Sequence, residues 1–324
     1  MGKLGSFVGG FILLIGLMAF SLMVGTRDIP IQTIVDTFTN YHATVNELII
    51  LTDRLPRTII AILVGASLAI AGCITQVIFR NPLASETTLG INGGASFFMV
   101  LSVTLFTGWS LSQLIWVSFI GSGLTFFIVF AIGRAHSPLQ LTLAGTSIAA
   151  LFSSLTHGFL VMNDRSLEQM LYWLTGSVEG RELGDITPVL PYLLVGIFLA
   201  FFLSWSLNLM ALGEEVSKSL GLSVSIYKFL AGVAVVLLAG SSVAISGPIL
   251  FIGLLVPHLA KIWVGQDHRV ILPFAGLLGA ILLLGADMLG RVIMMGQVIP
   301  VGVMTAVLGA PVFLYLVRRW GQSI

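Results

Sequence analysis

Two arginines stand close together in the stretch Asp53-Arg54-Leu55-Pro56-Arg57. Their three-residue spacing places both guanidinium groups on one face of a helix, and Pro56 suits the first turn of that helix. Because a guanidinium group binds a carboxylate through two parallel hydrogen bonds, the pair could receive acidic side chains of another protein. Alternatively, the two arginines are anchors at a membrane surface that pair with Asp53 and with lipid headgroups.

A third arginine repeats this chemistry near the end of the chain. Arg291 follows Asp287 by four residues, which is the spacing at which two side chains on one helix form an ion pair. Spacing alone favours an internal pair that lowers the cost of placing a cation near lipid. Together with Arg54 and Arg57, however, Arg291 could complete a basic rim that faces a partner.

One polar segment interrupts the apolar second half of the chain. It begins with acids, carries a lysine near its end and closes on a glycine, as a short helix does. Val216 and Leu220 are four apart, so this apolar face must rest on something. That support is either the bilayer surface or a partner protein, for which the helix would act as a lever. The segment comprises Gly213, Glu214, Glu215, Val216, Ser217, Lys218, Ser219, Leu220, Gly221 and Leu222.

The sequence offers no grouping for catalysis or for metal binding. The five histidines, His42, His136, His157, His258 and His268, have no ligand-like spacing. No serine, histidine and acid can be placed at one depth, and no glycine-rich loop follows a strand as a nucleotide-binding loop would. We therefore expect no metal, no bound cofactor and no enzymatic activity in this chain; any energy from ATP must come from a partner.

The composition places these residues in a membrane. Of the 324 residues 57% are hydrophobic and only 9% are charged, and the formal net charge is +1. Soluble domains average about 25% charged residues, so this chain could not cover a water-facing surface. The apolar runs are continuous, which favours helices over barrel strands. The single cysteine, Cys73, excludes an internal disulfide, and the scattered basic residues give no reason to expect nucleic acid.

Charges, prolines and glycines divide the chain into ten predicted spans. The first run is about 20 residues long, so we expect a retained span and not a cleaved signal. The Gly247-Pro248 break either separates two spans or interrupts one. We predict an all-α integral membrane protein with one transmembrane domain over residues 1–324. The predicted spans are 4–24, 56–79, 91–106, 111–133, 139–162, 188–208, 229–246, 248–264, 271–295 and 302–317.

The basic residues predict the orientation of these spans. The connections on the side of the N-terminus carry nine basic and four acidic residues, whereas those on the other side carry six basic and ten acidic ones. Because lysine and arginine in short loops stay cytoplasmic, both termini are expected in the cytoplasm. Within the second span, Gly65, Ala69 and Cys73 recur at every fourth position and predict a helix contact, and Gln76 predicts a polar cross-link.

Short motifs follow one another in a fixed order along nearly the whole chain. They are Arg54-Leu-Pro-Arg57, Gly65 to Gly72 with Gln76, Asn81-Pro-Leu-Ala84 with Leu89-Gly90, Leu212-Gly-Glu-Glu215, Ser219-Leu-Gly-Leu222, Ser246-Gly-Pro248, Phe251-Ile-Gly-Leu254, Val256-Pro-His258, Ala286-Asp287 with Arg291, and Pro300-Val-Gly302 with Gly309-Ala-Pro311. In this order they resemble the permease subunits of type II ATP-binding-cassette (ABC) importers, the FecCD family that carries iron-siderophores, haem and cobalamin.

This resemblance implies ten helices per subunit and two permease subunits, identical or paralogous, around a central pathway. It implies two cytoplasmic ATPase subunits that use ATP and Mg, and an extracytoplasmic binding protein, in a bacterial cytoplasmic membrane. It assigns Arg54, Arg57 and Arg291 to salt bridges with the binding protein, residues 213–222 to the helix coupled to the ATPase, and the fifth span to the pathway. Iron(III)-siderophore uptake is the expected function, with haem or cobalamin as alternatives.

Two positions depart from the family pattern, and two other functions stay open. Val298 stands where glutamate is frequent, and Lys261 stands where arginine is common. An ion-coupled secondary transporter would need ionisable residues near the bilayer midplane, where only Asp287 and His157 come close. An intramembrane enzyme would need a catalytic cluster, which the sequence does not supply.

Overall fold

The fold is taken from a computed structural model that describes residues 2–25, 27–106, 108–133, 138–162, 170–293 and 298–320. Several residues used in the sequence argument lie outside these ranges. They are Arg134, Asp164, Arg165 and Glu168, which enter the charge count, and His136.

The described residues form helices joined by short connections, and they contain no strand. A 3-10 turn covers Glu86–Leu89, and π-helical turns cover Ile50–Arg54 and Val236–Gly240. The α-helices are α1 (Lys3–Met23), α2 (Ile31–Thr39), α3 (Val45–Ile49), α4 (Leu55–Phe79), α5 (Ile91–Leu105), α6 (Leu111–Ile132), α7 (Pro138–Met162), α8 (Leu183–Ile186), α9 (Leu190–Phe202), α10 (Ser204–Ala211), α11 (Glu214–Ser219), α12 (Val224–Val235), α13 (Ser241–Ser246), α14 (Ile252–Val264), α15 (His268–Ile293) and α16 (Val301–Trp320).

The described helices include ten apolar segments, which correspond in order to the ten predicted spans. Six helical runs are long and apolar enough to cross a membrane, and α9 and α10, bent by 53° at their junction, together make a seventh. Three shorter apolar helices, in α5, α14 and α16, bring the number in the described part of the chain to ten, one for each predicted span. At the Gly247-Pro248 break, residues 247–251 are not helical, so the break separates two helices, α13 and α14.

The centre of the molecule is α4, which packs against α15 and α14. Two of the three small residues predicted to form a helix contact, Gly65 and Ala69, lie against α15. A Cβ atom placed on Gly65 would lie 2.3 Å from the carbonyl oxygen of Gly279, and one placed on Gly279 would lie 2.6 Å from Cβ of Ala69. One placed on Gly72 would lie 1.9 Å from the carbonyl oxygen of Gly253. Helices approach this closely only where side chains are missing, and close packing is what holds helices together in lipid.

Two polar ends terminate this bundle. The arginine end is formed by residues 21–57, 172–179 and 287–291, and the lever end by residues 76–82, 208–228 and 261–269. The 25 residues of α4 connect the two ends and span about 38 Å at 1.5 Å per residue. The fold therefore separates the groups predicted to face the binding protein from those predicted to face the ATPase by about the thickness of a membrane.

Candidate functional site

Arg54 lies in the π-helical turn before α4 and is buried. Its Nη1 atom donates hydrogen bonds of 2.7 Å to the carbonyl oxygens of Leu22 and Met23, and its Nη2 atom donates to the carbonyl oxygen of Arg27. These carbonyls belong to the last turn of α1 and to the connection that follows. Arg54 thus supplies donors to a helix end whose carbonyl groups have no partners in the helix.

Arg57 and Arg291 share one carboxylate, that of Asp287, whose side chain is fully buried. Arg57 donates from Nη2 to Oδ1 at 2.7 Å and from Nε to both oxygens at 3.0 and 3.1 Å. Arg291 donates from Nε to Oδ2 at 2.9 Å and also from Nη2. The predicted Asp287–Arg291 pair is confirmed, and Arg57 joins it from α4, 230 residues earlier in the chain.

Ser21 of α1 completes this cluster. Its carbonyl oxygen and its Oγ atom both lie 3.1 Å from terminal nitrogens of Arg291, and its Oγ atom lies 2.7 Å from Oγ1 of Thr58. Three helices, α1, α4 and α15, are thereby linked by side-chain hydrogen bonds inside the bundle. We call Ser21, Arg54, Arg57, Asp287 and Arg291 the arginine cluster.

The arginine cluster holds more positive than negative charge. Two of the three guanidinium groups bind one buried carboxylate, while that of Arg54 has main-chain carbonyls as its hydrogen-bond partners. A buried charge is costly when it is not balanced. The next acid is Glu179, whose Oε1 atom lies 3.8 Å from Nη1 of Arg57 and whose side chain is 33% exposed. Asp53, which the sequence suggested as a partner, is exposed and forms no ion pair among the described residues. The excess charge leaves the cluster able to attract a further carboxylate.

Sequence reasoning did not single out Glu179. It lies in the connection before α8, where it also accepts a hydrogen bond from the phenol of Tyr172, and its main-chain nitrogen donates 3.1 Å to Oγ of Ser177. Nothing in its local sequence distinguishes Glu179 from the other acids of this connection. Only the fold brings it to Arg57.

The lever end begins with the segment 213–222, of which Glu214–Ser219 is helical. Glu214 receives Nζ of Lys218 at 3.0 Å and Nζ of Lys228 at 2.9 Å. Burial alone would raise the pKa of Glu214, but the hydrogen bonds and charges of these lysines outweigh it and hold the pKa below its ordinary value. Lys228 lies in α12 and its side chain is buried, so this ion pair fastens the segment to the next span.

The apolar face of this segment points away from the chain. Val216 and Leu220 are 46% and 57% exposed, whereas Ser217 is buried and its Oγ atom donates 2.7 Å to the carbonyl oxygen of Leu209. The segment is therefore attached through Ser217, Glu214 and the buried Leu222, whereas Val216 and Leu220 stay about half exposed. A surface of this kind suits a partner or the bilayer surface.

Gln76 and Lys261 form a second group at the lever end. Nζ of Lys261 donates 2.9 Å to Oε1 of Gln76, whose Nε2 donates 3.2 Å to the carbonyl oxygen of Leu254. The polar cross-link predicted for Gln76 is confirmed, and Lys261, one of the departures from the family pattern, is its partner. A cavity of about 300 Å³ opens beside them. Asn208 joins α10 to α15 nearby, because its Oδ1 accepts 2.8 Å from the main-chain nitrogen of His268.

Two long helices, α1 and α7, lie at the edge of the molecule and differ in what they expose. The exposed large side chains of α1 are apolar and include Phe11, Ile12 and Ile15. The exposed surface of α7 is mixed. It includes large apolar side chains such as Leu143 and Leu151, but it also has polar groups over the length of the helix, at Gln140, Thr146, Ser147, Ser153, Ser154 and His157. An apolar face suits lipid, whereas a polar face on a membrane helix suits a bundle interior or a water-filled pathway.

Comparison with known proteins gives one family for this chain. The family model of the FecCD transport family matches residues 12–319. The Probable siderophore transport system permease protein YfiZ of Bacillus subtilis is 46% identical over 313 residues, which cover 95% of this chain and 94% of YfiZ. The ferric enterobactin transport system permease protein FepD of Escherichia coli is 39% identical over 315 residues, with 96% and 94% covered.

A solved structure also matches the fold of this chain. The solved structure of an inward-facing transporter of the metal-chelate ABC type superposes with a TM-score of 0.86 and 30% sequence identity, and covers 96% of this chain and 98% of that one. The match extends over the arginine end, the lever end and the spans between them. The chain belongs to the FecCD transport family.

Proposed function

We propose that this chain is the membrane-spanning permease of an ABC importer for iron(III) chelates, with iron(III)-siderophores as the substrate class. The proposal is supported by the relatives, which are named for siderophores and for ferric enterobactin and match along nearly their whole length. Haem and cobalamin, the alternatives within the same class of permease, have no such named relative among these.

The observation that carries a transport function is the polar exposed face of α7. A helix of 25 residues is long enough to cross the bilayer. Thr146, Ser154 and His157 bond to main-chain oxygens of their own helix, but the side chains of Gln140 and Ser147 have no hydrogen-bond partner among the described residues and would be costly against hydrocarbon. We infer that this face is covered by a second permease subunit and lines the pathway between the two subunits. The subunits are either two copies of this chain or this chain and a paralogue.

The energy for transport would come from two ATPase subunits that bind ATP and Mg, while this chain holds no cofactor and forms a single transmembrane domain. The lever end would face the ATPase subunits in the cytoplasm, together with both termini, and the arginine end would face the outside of a bacterial cytoplasmic membrane. The exposed side chains of Val216 and Leu220 would seat the segment 213–222 on the ATPase.

A binding protein that carries the iron chelate would dock at the arginine end, with Arg54, Arg57 and Arg291 as the attracting charges. The excess of guanidinium groups over carboxylates in the arginine cluster supports this role. The burial of all three side chains limits it, because a docking carboxylate must reach a guanidinium group that is already bonded inside the chain. Long-range attraction does not need such contact, since charges also steer the approach of a partner.

Closing of the ATPase subunits on ATP would move the segment 213–222, and the Glu214–Lys228 ion pair would carry this movement into α12. Spans around α12 would then change their packing, so that one end of the pathway opens while the other closes. Because the pathway is enclosed by two subunits, a large polar chelate would cross without contact with lipid.

The test is iron uptake in vesicles of defined composition. We expect purified permease with its ATPase subunits to accumulate radiolabelled iron(III)-siderophore only when both ATP and the binding protein are present. Uptake by the permease alone under an ion gradient would overturn the proposal in favour of a secondary transporter. Turnover of a substrate by the isolated chain would favour an intramembrane enzyme.

A further inference from the structure

The three guanidinium groups of the arginine cluster differ in which of their nitrogen atoms already donate hydrogen bonds. Both terminal nitrogens of Arg54 donate to main-chain carbonyls. In Arg291, Nε and both terminal nitrogens are bonded to Asp287 and Ser21. In Arg57, Nε and Nη2 are bonded to Asp287, and Nη1 makes no hydrogen bond with any residue that the structure describes. Arg57 therefore keeps one terminal nitrogen that a docking carboxylate could bind directly.

Glu179 occupies the approach to this nitrogen. Its Oε1 atom lies 3.8 Å from Nη1 of Arg57, which is close enough for charge attraction and too long for a hydrogen bond. Its other oxygen, Oε2, accepts the hydroxyl group of Tyr172. The side chain of Glu179 is 33% exposed, whereas that of Arg57 is 5% exposed, so Glu179 is the member of the pair that can move into solvent.

We propose that Glu179 is an internal competitor for docking: it neutralises the free side of Arg57 while the site is empty, and a carboxylate of the binding protein displaces it. This inference rests on the proposed docking function of Arg57 and adds to it a residue that sets the strength of docking. The partner group is a carboxylate, because it replaces one.

Three features make displacement of Glu179 feasible. The pair is long and partly exposed, and ion pairs of this kind contribute little free energy. Asp287 stays bonded to Arg57 throughout, so the buried guanidinium group is never left without a counter-charge. The incoming carboxylate would approach Nη1 from the side that Glu179 leaves, and it could shorten the contact to the 2.7–2.9 Å of a charge-assisted hydrogen bond.

The experiment measures the dissociation constant of the binding protein on the permease–ATPase complex in lipid nanodiscs. The probe is the extracytoplasmic binding protein that stimulates ATP hydrolysis by this complex, and the variant is Glu179→Gln. Glutamine keeps an oxygen that accepts the hydroxyl group of Tyr172 and removes the charge. Since a partly exposed pair contributes little free energy, we expect binding to become about two- to fivefold tighter.

Two further variants separate competition from a general effect of charge. Glu182→Gln removes an exposed acid from the same connection, three residues away, and is expected to leave the dissociation constant unchanged. Arg57→Lys keeps the charge beside Asp287 but removes the forked group. In this background Glu179→Gln is expected to lose its effect, because no free nitrogen remains for the two carboxylates to share.

The outcomes distinguish this inference from the docking proposal. Weaker binding by Arg57→Lys with no gain from Glu179→Gln would overturn the competitor role and leave docking at Arg57 intact. Unchanged binding by Arg57→Lys would overturn docking at Arg57, and the competitor role with it. An equal gain from Glu179→Gln and Glu182→Gln would also overturn the inference, since it would show a nonspecific effect of charge.

Discussion

Asp287 is the residue on which the arginine cluster depends. Its buried carboxylate is the acceptor for both Arg57 and Arg291, and no other carboxylate lies within hydrogen-bonding distance of these two in the described part of the chain. Removal of one member of a buried ion pair leaves an uncompensated charge, which costs more than the pair itself contributes. The stability of the contact between α4 and α15 is therefore tied to one side chain.

Replacement of Asp287 by asparagine should lower the free energy of unfolding by about 3–5 kcal/mol, because two buried guanidinium groups lose their counter-charge. Thermal unfolding of the purified protein in detergent measures this loss. Asp36→Asn, an exposed acid in α2, is the control and should unfold as the unaltered protein does. Equal stability of both variants would show that the cluster does not hold the helices together.

The same cluster changes how the docking arginines should be tested. From the sequence, charge reversal at Arg54 and Arg57 looks like a change at a surface. In the structure it would place a carboxylate beside Asp287 or against the carbonyls at the end of α1. Such variants are expected to be unstable, so the exposed Glu179 gives the cleaner test of docking.

At the scale of the element, α4 shows how a span is shaped by its smallest residues. Gly65 and Gly72 contact the main chain of α15 and α14 directly, and both positions lack room for a side chain. Gly16 in α1 belongs to a span of similar composition but has no other atom within 4 Å of where its Cβ would be. The residue type therefore does not show which glycines lie in a close helix contact and which do not.

Gly72→Ala should lower the free energy of unfolding by about 1–3 kcal/mol. Its new methyl group would meet the carbonyl oxygen of Gly253, so the main chain would have to move. Gly16→Ala should be neutral or stabilising, since alanine favours a helix by about 1 kcal/mol over glycine. Thermal unfolding of the two purified variants compares them. The prediction is wrong if Gly72→Ala is tolerated as well as Gly16→Ala.

The segment 213–222 is an element with two apolar side chains, Val216 and Leu220, that its own chain leaves about half exposed. Val216→Asp and Leu220→Asp should each weaken association with the ATPase subunits by about tenfold, as loss of a central apolar contact does, without a change in the unfolding of the permease alone. Co-purification and ATP hydrolysis measure the effect. Gln32→Asp, an exposed position in α2 at the arginine end, serves as the matched control, and an equal loss there would argue against the lever.

At the scale of the whole molecule, the exposed faces of α1 and α7 predict what surrounds the chain. Cysteines at Ser147 and Ser154 should react with a membrane-impermeant thiol reagent, because we place the α7 face along a water-filled pathway. A cysteine at Ile12 should be protected by lipid. The only native cysteine, Cys73, is buried and gives a low background. Protection of both α7 positions, or labelling of Ile12, would contradict this arrangement.

The sequence by itself determined the helical membrane class, the order of the ten apolar segments and the family. These follow from quantities that a linear chain carries: the length of apolar runs, helix breaks at positions such as Gly247, and the order of motifs. The i,i+4 pair of Asp287 with Arg291 also belongs to this group, because both residues lie on one helix and their spacing sets their distance.

Only the tertiary structure decided which side chains from distant parts of the chain are in contact. Arg57 joins Asp287 across 230 residues, Lys261 meets Gln76 across 185, and Glu179 reaches Arg57 from a connection with no distinctive pattern. Contacts between helices depend on how far each helix is rotated and shifted against its neighbours. In this chain the positions where glycines let main chains touch set that rotation and shift, and a periodic sequence pattern does not encode the partner at such a contact.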